Sequence, residues 1–166
     1  MMDKRGSGRA AYVGVLAALA IVLSYLESLI PVFTSVPGVK LGLANAVVVV
    51  VLYKLGAREA FMINMVRIAV SGLLFGNPVM LLYSLCGGLA SYVVMLLLRK
   101  LKSFSVTGVS IAGAVAHNLA QLMLACFILE NGSIVYYMAV LLITGAVSGL
   151  LTGIAASFII ETVRFR

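Results

Sequence analysis

The chain is poor in the groups that most chemistry requires. It holds one aspartate, Asp3, among five acidic residues in all, and one histidine, His117. Without aspartate clusters no pair of motifs can hold magnesium against a diphosphate, so prenyl diphosphate synthase chemistry has no catalytic groups here. No G-x-x-x-x-G-K-[ST] loop occurs, which excludes ATP hydrolysis by the chain itself. The absence of an H-E-x-x-H run, a Cys/His cluster or a Ser–His–Asp set leaves metal-assisted and triad hydrolysis without residues. Cys86 and Cys126 lie in apolar segments at no metal-ligand spacing and read as small buried hydrophobes. The expectation is a protein that is not an enzyme and holds neither cofactor nor metal.

Charge is equally scarce. Charged residues make up 10% of the chain and hydrophobic ones 63%, with a mean hydropathy of +1.19. A soluble domain is nearer half apolar and about a quarter charged. No water-soluble fold can hide so much apolar surface, so the chain reads as an all-α integral membrane protein. The net charge of +7 would point to nucleic acid in a soluble protein. In a bilayer the placement of the charges matters more, and no nucleic-acid partner is expected.

A spanning helix needs about 20 mostly apolar residues. Charge, Gly and Pro punctuate the 166 residues into six such runs, near 10–30, 40–55, 58–75, 78–98, 105–129 and 134–162, within a single membrane domain (1–166). The second run is short and the last two are long. The first follows Lys4, Arg5 and Arg9 but exceeds a typical signal-peptide core and has no clear A-x-A site after it, so it reads as a retained helix. With six alternating crossings, ten of the twelve basic residues fall on one side: Lys4, Arg5, Arg9, Lys54, Arg58, Arg99, Lys100, Lys102, Arg164 and Arg166. The other side has Lys40, and Arg67 lies within a span. This bias places both termini in the cytoplasm. The external connection 31–39, "PVFTSVPGV", is apolar enough to fold back over the helices, as a lid or as a plain re-entrant turn.

Helices in lipid associate through close packing at small residues. Gly145, Gly149 and Gly153 form such a ridge on the sixth span, best read as packing within the bundle. Ala10, Gly14 and Ala18 repeat the spacing on the first, at the cytoplasmic end beside a basic tail, where a second membrane subunit could dock.

Ionisable and amide groups within spans cost free energy and are candidates for function. Arg67 lies near the middle of the third span, with Asn64 and Ser71 on its face. In the fifth, Ser110, Ala114, His117 and Gln121 share a face, with Asn118 beside it. Glu27 and Asn45 lie toward the outer ends of the first two spans. Lys40, Asn77 and Ser84 complete the candidate ligand contacts. One reading is a hydrogen-bonded lock between helices, for instance Glu27 with Arg67. The other is a pocket that opens outward and favours a polar or anionic small molecule.

The stretches "PGVKLGLANAVVVVVLYKLGAREAFMINMVRIAVSGLLFGNP" (37–78), "YSLCGGLASYVVMLLL" (83–98) and "FSVTGVSIAGAVAHNLAQL" (104–122) resemble one family. It is the Gx transporter family, often labelled heptaprenyl diphosphate synthase component I and similar to the substrate-binding S components of energy-coupling-factor (ECF) transporters. The resemblance covers about residues 10–160. It implies a six-helix S-component bundle for micronutrient uptake, partnered by a scaffold membrane subunit and two ABC-type ATPases. It also implies that Ala10, Gly14 and Ala18 meet the scaffold, with Gly14 standing where alanine is commoner. The synthase label implies an alternative: a non-catalytic membrane partner of a prenyl diphosphate synthase or quinone-pathway enzyme.

Overall fold

A computed structural model describes residues 4–29, 42–130 and 132–163. The segment 31–39 and Lys40 lie outside the described residues. Six α-helices account for nearly all of the rest, with no strand among the described residues: α1 (Lys4–Leu29), α2 (Leu43–Lys54), α3 (Ala57–Leu74), α4 (Pro78–Leu101), α5 (Val106–Leu129) and α6 (Met138–Thr162). A 3₁₀ stretch, Gly132–Tyr137, leads into α6. The helices follow the six apolar runs of the sequence. The largest difference is at the start of α1, where Lys4–Arg9 continue the helix.

Local chemistry sets several boundaries. Asn77 caps α4: its Oδ1 accepts from the Met80 backbone N–H at 2.8 Å, and Pro78 occupies the first turn, where a missing N–H costs nothing. Ser105 caps α5 in the same way, accepting from the Gly108 N–H at 3.1 Å. Gly56 turns the chain between α2 and α3 at φ 126°, a conformation that side chains rarely adopt. Asn77→Ala should cost about 1 kcal/mol of stability. Thermal unfolding in mild detergent would check this; a loss several times larger would mean that Asn77 does more than cap.

Four helices, α1, α4, α5 and α6, are long and apolar enough to cross a bilayer. Large apolar side chains such as Val15, Leu97, Phe127 and Phe158 are exposed on them, as expected of surfaces that face lipid rather than water. The protein is a multi-pass membrane protein. The 12 residues of α2 extend about 18 Å, short of the ~30 Å hydrocarbon layer. The 18 of α3 include Arg58, Glu59 and Arg67.

α2 is the central element and touches α1, α3, α5 and α6. Its run Val47–Leu52 is buried on every side, with no residue above 5% exposure, as a uniformly apolar helix should be. Around it α5 packs on α4 and α6, and α3 bridges α1 to α4. The glycine ridge of α6 packs within the bundle: a Cβ at Gly149 would sit 2.6 Å from the Ile111 Cα, and one at Gly153 2.8 Å from the Thr107 Cα.

One end of the bundle collects the basic residues. Arg9 of α1 pairs with Glu59 and donates to the Leu55 carbonyl at 2.9 Å, tying α1 to the α2–α3 connection. Tyr92 of α4 donates to the Ala57 carbonyl at 2.9 Å, and the Arg99 guanidinium lies 5.4 Å from the Tyr53 ring centroid. Lys54, Arg58, Lys100 and Lys102 flank these contacts. The opposite end holds the end of α1, the start of α2 and the α3–α4 connection.

Candidate functional site

A cavity of about 130 Å³ lies in the half of the bundle away from the basic end. Every helix contributes to it: the last turns of α1, the first turn of α2, the C-terminal half of α3, the start of α4 and the middles of α5 and α6. Six of the candidate residues line it: Glu27, Asn45, Arg67, Ser84, His117 and Asn118. Three described candidates, Asn64, Asn77 and Gln121, are not among its lining residues.

Arg67 is the central cation of the cavity. Its Nε donates to Asn64 Oδ1 at 3.1 Å, and it makes no ion pair among the described residues. A guanidinium has five N–H donors, so its terminal nitrogens keep four with no hydrogen-bond partner there. The expected Glu27–Arg67 pairing takes a different form. Glu27 Oε1 accepts from the Gly42 backbone N–H, which joins the end of α1 to the start of α2. Gly42 adopts φ 73°, and the carboxylate sits at the positive end of the α2 dipole. Glu27 is still close enough to act on Arg67 through space.

Asn64 sits behind Arg67, 1% exposed, with its Nδ2 donating to the Gly88 carbonyl at 3.0 Å. It therefore ties α3 to α4 and aims the guanidinium at once. Asn118 lines the cavity but also donates to the Leu141 carbonyl at 2.8 Å, and Gln121 donates to the Tyr83 carbonyl at 3.3 Å. Asn45 Nδ2 reaches Ser91 Oγ at 3.4 Å, and Ser110 meets Thr152 at 3.1 Å. The lock and the pocket thus coexist, with Asn64 and Gln121 in the lock, Arg67 and His117 on the cavity wall, and Asn118 in both. On the pocket reading, Asn64→Leu should weaken ligand binding through Arg67, and it should lower stability by about 1 kcal/mol. Paired binding and unfolding measurements check it; a stability loss with unchanged binding would remove the aiming role.

Sequence reasoning missed part of the wall. Ser24, Ser28 and Ser148 line the cavity, and the buried Oγ atoms of Ser24 and Ser71 have no hydrogen-bond partner among the described residues. Ser24 and Ser28 stand four residues apart around Glu27, a helical face visible in the sequence. The Gly87–Gly88 pair has a second meaning too. A Cβ at Gly87 would come 2.8 Å from the His117 ring, so glycine there lets the imidazole lie against α4. No cluster of three metal-ligating side chains occurs among the described residues. Cys86 and Cys126 are free and half-buried, and Cys86 Sγ donates to the Ala120 carbonyl at 3.6 Å.

These features define a helical membrane protein with a mixed-charge, serine-lined cavity in one half of its bundle. Residues 16–159 match the family described as heptaprenyl diphosphate synthase component I, and the chain belongs to that family. No curated protein and no solved structure matches the chain. The match agrees with the family label read from the sequence; nothing in it speaks to ECF S components.

Proposed function

We propose that this protein is a non-catalytic membrane subunit that captures a small polar or anionic molecule from the external side of a prokaryotic cytoplasmic membrane. In this reading it acts as the S component of an ECF-type importer. The cavity carries the proposal: Arg67, with four donors unsatisfied among the described residues, faces a space that every helix helps to build. The positive-inside rule puts the basic end in the cytoplasm, so the cavity half faces outward. Six crossings then bring both termini to the cytoplasm. The short α2 counts as a crossing because α1, α3, α5 and α6 enclose it, so its ends meet protein rather than lipid. Ala10, Gly14 and Ala18 are all exposed on α1, free to meet a scaffold membrane subunit that is energised by two ATPases.

The family's name favours a second reading, and more directly than it favours an importer: a non-catalytic membrane component of a prenyl diphosphate synthase. The chain's single aspartate fits a partner that supplies the catalysis. In that case a soluble, Asp-rich synthase docks on the basic end. Native mass spectrometry of the protein, purified in mild detergent from its host membrane, separates the two. Retained scaffold and ATPase subunits with a small molecule support the importer. A retained Asp-rich synthase supports the second reading, and a bare chain counts against both.

A further inference from the structure

The charge balance of the cavity narrows the kind of molecule it takes, on the reading that the protein captures a ligand there. Glu27 is engaged at the start of α2 by a backbone N–H. The hydrogen bond of Arg67 goes to a neutral amide, so this cation sits inside the bundle with no ion-pair partner among the described residues. A half-buried guanidinium whose terminal nitrogens have no hydrogen-bond partner among the described residues is poorly solvated, and an oxyanion that accepts from its planar fork offsets that cost. Two nearby hydroxyls lack partners among the described residues as well. Ser71 lies one turn from Arg67 on the same face of α3, and Ser24 faces the cavity from α1. Among the described residues a single guanidinium next to Glu27 lines the cavity, which matches one negative charge better than two and disfavours a phosphate dianion.

The cavity is also graded along its depth. Phe75, Gly76 and Met80 line it at the α3–α4 connection, whereas Arg67 lies eight residues before Phe75, about 12 Å deeper along α3. Ile68 adds apolar surface beside the guanidinium. We propose that the site binds a small monocarboxylate head first. The carboxylate accepts from the terminal nitrogens of Arg67 and from the hydroxyls of Ser71 and Ser24, and an apolar body points back toward Phe75 and Met80.

Ligand-induced shifts in thermal unfolding of the full chain in mild detergent test this, using benzoate with benzamide and benzylamine, hexanoate with hexanamide, and phenyl phosphate. At least one carboxylate is expected to raise the unfolding midpoint, and its amide is not. Phenyl phosphate should act more weakly, and Arg67→Gln should weaken the carboxylate at least tenfold. Because that variant removes a charge that makes no ion pair among the described residues it should stay folded, and Ser71→Ala, with a several-fold loss, provides an independent check. An amide or amine that matches its carboxylate, an effect that survives in Arg67→Gln, or a retained native molecule without an acidic group overturns the monocarboxylate and leaves capture standing. No shift with any probe overturns the monocarboxylate; if native mass spectrometry also finds no bound small molecule, capture falls with it.

Discussion

Gly149→Ala is expected to destabilise the bundle strongly, whereas Gly14→Ala, the same substitution on another helix, should leave it intact. The added methyl at Gly149 falls 2.6 Å from the Ile111 Cα and 2.9 Å from the Ala114 Cβ. The nearest of these atoms is backbone, which no rotamer change can relieve. α6 must back away from α5 along the ridge that Gly145 and Gly153 share. Such overpacking costs about 1–3 kcal/mol. At Gly14 nothing lies within 4 Å of the added carbon, so the change should stay within about 0.5 kcal/mol. The two free cysteines provide the readout, because heat-induced exposure of Cys86 and Cys126 to a thiol-reactive dye reports unfolding. Equal midpoints for the two variants would refute the close α5–α6 contact.

The largest effect on assembly is expected from Gly14→Leu combined with Ala18→Leu. Both positions are exposed on α1, which is the least buried of the four long apolar helices. An added Cβ at Gly14 meets nothing within 4 Å among the described residues and Ala18 is exposed, so the unfolding midpoint should stay near wild type. A scaffold subunit approaching along the small-residue face would be held off, since close helix contact in lipid depends on small side chains. On the importer reading, the double variant should therefore keep a bound small molecule and lose a scaffold subunit on purification from the host. A partner retained in full would sink the docking face. Loss of a soluble synthase instead would move the interface to the second reading.

Much of the architecture could be read directly from residues. The apolar runs, the Asn77–Pro78 and Ser105 starts and the Gly56 turn mark where helices begin and reverse. Each depends on chemistry within a few positions of chain. The glycine ridge of α6 was legible as a packing device for the same reason. The roles of individual polar residues were not. Asn64 and Arg67 stand three apart on one face and look alike as candidates. One is sealed against the Gly88 carbonyl, while the other opens its guanidinium into a cavity. Gln121, a turn beyond His117, points its amide at the Tyr83 carbonyl instead of the cavity wall. Ser24 and Ser28 do not stand out as wall residues, because a serine in an apolar helix commonly bonds back to its own backbone, as Ser28 does to the Tyr25 carbonyl at 2.6 Å.

The sequence by itself determined that this is a helical membrane protein with few groups for catalysis, because composition and spacing act through solvent and local backbone. Tertiary structure decided that α2 lies at the centre, that Glu27 engages Gly42 while Arg67 leans on Asn64, and that two serine hydroxyls have no partner among the described residues. Those outcomes depend on which helix faces are brought together and at what height. Side chains far apart in the chain compete there for the same few donors and acceptors, and that competition has no signature in local sequence.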